Sequence, residues 1–143
     1  MLGAIFRISQ FIMENTDSHF DIKITVEKDF VSIFASGDYS LLKAKDLFKL
    51  SIDSALLHNK SKILIDVTNI TGTIPFLDRF EYSEFFAKYR AEHALTKINK
   101  TAVVGQEPIV HKDRFGETVA VNRGANVRVF TGMNKALIWL SKK

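Results

Sequence analysis

Residues 62–67, Lys62-Ile63-Leu64-Ile65-Asp66-Val67, decide the fold. The run is apolar, short and without helical period, and it lies between two longer amphipathic stretches. A run of that kind between helices is the mark of a strand covered on both faces, as in a parallel sheet. On its amino side, Leu41, Ala44, Leu47, Phe48, Ile52, Ala55 and Leu56 recur at helical spacing, with Lys43, Lys45 and Lys49 expected to point outward. Asp38 and Ser40 both suit the N-cap of this helix, and Asn59-Lys60 ends it. On its carboxyl side comes a polar loop, Thr68 to Thr73. Pro75 then suits the first turn of a helix over about 75–95, where its missing N–H costs nothing.

Working outward, Phe20, Ile22, Ile24 and Val26 alternate with polar residues, the period of a half-buried strand. A turn at Lys28-Asp29 leads to a second strand through Phe30, Val31, Ile33, Phe34 and Ala35, stopped by Gly37, so the two read as an antiparallel hairpin. Thr101-Ala102-Val103-Val104 is a further buried strand closed by Gly105. Residues 107–124 read two ways. One is a hairpin across Asn122-Arg123-Gly124; the other is a helix over 114–122 ended by Gly124, which the spacing of Phe115, Val119 and Asn122 favours. Val127, Val129 and Phe130 form the last parallel strand. Thr131 is expected to cap a final helix with Met133, Ala136, Leu137 and Leu140 on one face.

Strands alternating with helices in this order imply an α/β fold: a mixed, mainly parallel five-stranded sheet with flanking helices and right-handed crossovers. With no internal repeat or linker, residues 20–143 are expected to form one domain. Residues 1–19 are expected to be an N-terminal extension or arm. Its opening MLGAIFRISQFI is apolar but broken by Arg7, Ser9 and Gln10, which does not make a secretory signal.

Composition narrows the function classes. The 143 residues fall within single-domain size, and 46% hydrophobic with 25% charged content is ordinary for a globular chain. The 12 phenylalanines are not ordinary and must be placed somewhere. The absence of cysteine excludes disulfides, thiolate metal sites and cysteine nucleophiles, and it fits a cytoplasmic protein. The net charge of +4 comes from 20 basic residues interleaved with 16 acidic ones, not from a basic stripe, so no nucleic-acid partner is expected. No apolar run reaches the ~20 residues of a membrane span.

In open α/β sheets, ligands favour the loops beyond the carboxyl ends of the strands. That rule selects residues 66–73, 105–113 and 131–132. The first offers Asp66, Thr71 and Thr73 before a helix start; the second offers His111 beside Lys112 and Asp113. Against a phosphate loop stand the scarcity of glycine and the lack of a Lys followed by Ser or Thr. Ordinary turn chemistry also explains such residues. Arg79, Arg114 and Arg123 are candidate anion contacts, since the guanidinium fork suits carboxylate or phosphate, with surface salt bridges as the plainer role. The histidines (His19, His58, His93, His111) lack metal-ligand spacing, and no compact nucleophile–base set can be assembled. The expectation is a non-enzyme with no cofactor and no metal.

The 75–95 helix is apolar on two sides. Phe76, Phe80, Ala87, Ala91 and Ala94 share one side, expected to face the sheet. Tyr82, Phe85, Phe86, Tyr89 and His93 gather on roughly the other. A helix lying on a sheet needs one apolar stripe, so Tyr82, Phe85, Phe86 and Tyr89 are expected to form a partner face. Another copy of the chain in a homo-oligomer, the N-terminal arm, or a different protein could cover it. The alternative is a small apolar-ligand or lipid-binding pocket at the same aromatic face.

The chain resembles the STAS group, the sulfate-transporter and anti-sigma-factor-antagonist domains, and more narrowly the small stand-alone bacterial STAS-like proteins. The resemblance covers about residues 20–141. It is carried by residues 62–67 with Thr71-Gly72, by Arg114-Phe115-Gly116-Glu117-Thr118-Val119-Ala120-Val121-Asn122-Arg123-Gly124, by Val127-Arg128-Val129-Phe130-Thr131 and by Ala136-Leu137-Ile138-Trp139-Leu140. It implies a helix-covered, mainly parallel sheet, a helix over 112–123, and protein–protein regulation in place of catalysis. One departure matters. Anti-sigma antagonists carry a phosphorylatable serine at the start of the helix after the strand matching 62–67. Here that helix opens Thr73-Ile74-Pro75-Phe76-Leu77-Asp78-Arg79, with no serine before Ser83, so the phosphoswitch does not carry over.

Overall fold

The computed structural model describes residues 19–93, 97–110 and 126–142. The element order is β1 (Asp21–Val26), β2 (Val31–Asp38), α1 (Leu41–Leu57), β3 (Lys62–Thr71), α2 (Phe76–His93), β4 (Lys100–Val104), β5 (Val127–Phe130) and α3 (Met133–Ser141). The five strands lie side by side in chain order. β1 is antiparallel to β2, and β2 to β5 run parallel. This is the mixed, mainly parallel sheet expected from the alternation of elements. The alternative hairpin or helix at 107–124 falls almost wholly outside the described residues, as do residues 1–18 of the expected arm.

Parallel strands that always step to the next position in one direction, through right-handed crossovers, place their connecting helices on one face. α1 and α2 accordingly share a face. Beneath them lie Val31, Ile33 and Ala35 of β2, Ile63, Ile65, Val67 and Ile70 of β3, and Val127 of β5. The alternate residues Leu64, Ala102 and Val104 face the other way, under Ala136 and Leu140 of α3. The run 62–67 is therefore covered on both sides, which is why it lacks the polar alternation of β1.

Local signals account for the helix ends. Ser40 is extended and its Oγ accepts from Lys43 N at 3.2 Å, satisfying one free N–H of the first turn of α1. We expect Ser40→Ala to lower stability by about 1 kcal/mol in urea unfolding, with the slope unchanged. At the other end Asn59 takes φ 57°, and Asn59 N and Lys60 N donate back to Leu56 O and Ala55 O. Asn is among the few residues that enter the left-handed region readily, so it closes the helix where the sequence placed the stop. α3 differs from expectation: Gly132, not Thr131, is its N-cap, and no side chain bonds there. Its other end is held by two lysines. Lys100 Nζ donates to Trp139 O at 2.7 Å and Lys142 O at 2.6 Å, and Lys62 Nζ donates to Leu140 O at 2.6 Å. Cations on the last carbonyls of a helix satisfy free acceptors and complement its dipole.

Two further corrections concern residues read outward or as loop. Lys43 is buried, not outward, with its ammonium 5.1 Å from the centre of the Phe20 ring. Thr68 to Thr71 are strand, not loop. After a register shift between Phe34 and Ser36, Ser36, Gly37 and Asp38 pair with Asn69, Ile70 and Thr71. The turn-forming tendency of Thr and Asn here yields to pairing with β2.

Candidate functional site

The structure turns the expected faces of α2 around. Phe86 is 3% exposed, whereas Phe76 and Leu77 at the start of the helix are 64% and 74% exposed and Phe80 is 37%. The ring face read as open to a partner is the face that meets α1 and the sheet. Phe86 stacks on Phe48 of α1 at 3.6 Å between ring centroids and 28° between planes. Tyr82 and Tyr89 present edges to Phe48 at 6.4 and 6.3 Å. Phe85 stacks on Tyr89 at 5.8 Å, and the ammonium groups of Lys45 and Lys49 stand 5.4 and 5.7 Å from its centroid. Tyr82, Phe86 and Tyr89 of the expected partner face thus pack against Phe48 of α1, and Phe85 stays half-buried at the edge of that contact. Of the residues read as sheet-facing, Ala87 is buried, but Phe76 and Phe80 are not, and Ala91 is exposed.

The polar residues of the first loop bond to their neighbours. Asp66 Oδ1 accepts from Thr68 N at 3.0 Å and from Thr68 Oγ1 at 2.6 Å, a local turn that occupies the carboxylate. Thr71 Oγ1 donates to Asp38 Oδ1, tying the ends of β2 and β3. Thr73 is exposed. Arg79 Nη1 donates to Ile109 O at 3.2 Å and Nη2 to Pro108 O at 2.5 Å, clamping the start of α2 to the segment after β4. His111, Arg114 and Arg123 lie outside the described residues. Among the described residues no group of three His, Asp or Glu could hold a metal ion, and no helix is long and apolar enough to cross a membrane.

Two features are brought together that sequence reasoning did not place. The first is an apolar corner. α1 and α2 run parallel, joined at their starts by Tyr39 Oη donating to Asp78 Oδ2 at 3.0 Å and by Lys45 Nζ with Glu81 Oε2 at 2.7 Å. Leu42, 65% exposed in the first turn of α1, and Phe76 and Leu77 in the first turn of α2 therefore stand at one end of the helix layer, beyond the carboxyl ends of the strands. The second is a cavity of about 150 Å³ between α2 and the sheet. Leu47, Ile65, Val67, Ile70, Phe86 and Val127 form much of its wall, with Tyr82 on the helix side. Phe85 does not reach it and borders an open depression with Glu84 and Lys88. Burial pushes the Tyr82 phenol well above its ordinary range, and Tyr39 is raised by burial and then by its bond to Asp78. The period of the helix could reveal neither feature, because both arise from how α1 seats against α2.

No family model matches the chain, and no curated protein does. Solved structures do. An anti-sigma factor antagonist from Mycobacterium paratuberculosis superposes with a TM-score of 0.57 at 12% identity, over 86% of this chain and 95% of that one. An uncharacterized protein of the DUF3478 family from Shewanella loihica, described as having a SpoIIAA-like fold, gives a TM-score of 0.52 at 21% identity, over 85% and 93%. The resemblance read from residues 62–67 and the C-terminal third holds at the level of architecture: the chain has the SpoIIAA-like, STAS-type fold.

Proposed function

We propose that the chain is a non-enzymatic regulatory module of the cytoplasm that docks a protein partner on the corner formed by the first turns of α1 and α2. The observation that carries this reading is the exposure of Leu42, Phe76 and Leu77 together at one end of the helix layer. Single exposed apolar residues are ordinary, as Leu57 is here, but clustered large ones mark interaction surfaces. A SpoIIAA-like fold shared with an anti-sigma factor antagonist supports a protein partner over a substrate. Docking here is not gated by a serine at the start of α2, because Ser83, the first serine of that helix, is 4% exposed and faces inward.

The test is comparative affinity capture from native lysate with three tagged chains: wild type, Leu77→Asp, and Leu137→Asp on the outer side of α3. We expect one protein retained by wild type and by Leu137→Asp and reduced at least ~10-fold by Leu77→Asp, since a carboxylate buried against an apolar partner costs well over 1.4 kcal/mol. Equal retention by all three, or by none, contradicts the reading.

A further inference from the structure

β1 is an edge of the sheet: among the described residues no strand lies beyond it. An open edge carries free N–H and C=O groups with which another strand can pair. The hairpin decides which residues carry them. Glu27 N donates to Phe30 O at 2.8 Å, so Glu27 and Phe30 form a hydrogen-bonded pair. Bonded and non-bonded pairs alternate along an antiparallel ladder. Counting back, Thr25, Lys23 and Asp21 bond to Ser32, Phe34 and Ser36 of β2. The N–H and C=O of Ile22, Ile24 and Val26 therefore point away from the sheet.

The side chains of these three residues share one face. Ile22 packs on the core beneath α1 and α2. Ile24 and Val26 lie beside the fully buried Ile33 and Val31, yet they are 40% and 44% exposed, because α1 packs over β2 and β3. Free backbone groups and open apolar side chains thus fall on the same residues, the combination that strand addition uses.

We propose that β1 pairs with β1 of a second copy, antiparallel about a two-fold axis at Ile24, joining two five-stranded sheets into one. In this register β1 is complementary to itself. Ile24 meets the partner's Ile24 and Ile22 meets the partner's Val26, so all three outward residues fall in hydrogen-bonded pairs and the apolar stripe closes on itself. Moving the axis to Ile22 or to Val26 leaves an outward residue facing beyond the end of the strand. On the other face Lys23 stands opposite the partner's Thr25. At the two ends Asp21 faces the partner's Glu27, with Lys23 beside both. Two six-residue strands make a small interface, so the dimer belongs to high protein concentration. The pairing uses no residue of the apolar corner and stands or falls independently of docking there.

Sedimentation of the full chain between ~10 μM and ~1 mM should show the mean mass rising from one chain toward two. Amide exchange gives the finer readout. Ile22, Ile24 and Val26 should be protected in the dimer and lose that protection on dilution, while Lys23 and Thr25, bonded to β2, stay slow throughout. Ile24→Lys sets two ammonium groups against each other across the axis and should weaken association at least ~10-fold. Ile24→Pro removes an outward N–H and no bond to β2, and should weaken it as much. Leu57→Lys, at a position 79% exposed but off the edge, should leave it unchanged. A chain that stays monomeric at ~1 mM, protection of Ile22, Ile24 and Val26 in a monomer, or a dimer that survives both Ile24 variants would each overturn the proposal. Should Ile24→Pro not fold, Ile24→Lys and the dilution series decide in the same way.

Discussion

Phe48→Ala is expected to destabilise the chain by about 3–5 kcal/mol, the range for truncating a fully buried phenylalanine. Phe48 is 0% exposed and is the ring on which the helix layer is organised, with Phe86 stacked on one side and the edges of Tyr82 and Tyr89 around it. Removing it strands three aromatic partners at once, and α1 and α2 lose the contact that sets their parallel alignment. Leu77→Ala, at an exposed position, should change stability by less than about 0.5 kcal/mol. Urea unfolding of the two variants checks the contrast. Comparable losses would mean that the face of α2 has been assigned the wrong way round.

Stability is expected to fall above pH 10, with the phenols of Tyr82 and Tyr39 as causes. Burial raises the Tyr82 phenol from its ordinary 10.0. In the unfolded chain the phenol ionises near 10, while in the folded chain it keeps its proton to higher pH. Above pH 10 the folded state therefore binds more protons, and its stability declines with rising pH. The full contribution is present below pH 10 and is lost progressively above it, at up to about 1.4 kcal/mol per pH unit. Tyr39 and Tyr89 shift in the same direction, both chiefly by burial. Lys100 acts oppositely. Burial, then the charge of Lys62, lower it from 10.5, so its contribution improves as pH rises toward that value. Relative to Tyr82→Phe, the wild type should lose stability progressively between pH 10 and pH 12. Parallel stability curves for the two chains would show that the phenol is hydrated.

Which parts of this structure could be read in the sequence follows from where the deciding forces lie. The run 63–67 declared itself because a strand buried on both faces has no polar residue to alternate with. Ser40 and Asn59 declared the ends of α1 because caps act within a few residues. The orientation of α2 was not legible. Its two apolar stripes are real, but Phe48, on another element, chooses which stripe is buried, and the ammonium groups of Lys45 and Lys49 stand over Phe85 near the surface. Asp66, Thr71 and Arg79 looked like ligand groups because their chemistry suits ligands. Their partners proved to be Thr68, Asp38 and the carbonyls of Pro108 and Ile109. The space between α2 and the sheet depends on packing across several elements, beyond any periodicity.

Hydrogen exchange on the complex recovered by affinity capture probes the working surface most directly. Amides of residues 71–80 and of the first turn of α1 should exchange more slowly in the complex than in the free chain. Protection confined to α3, or unchanged exchange at 71–80, would contradict docking at the corner of Leu42, Phe76 and Leu77.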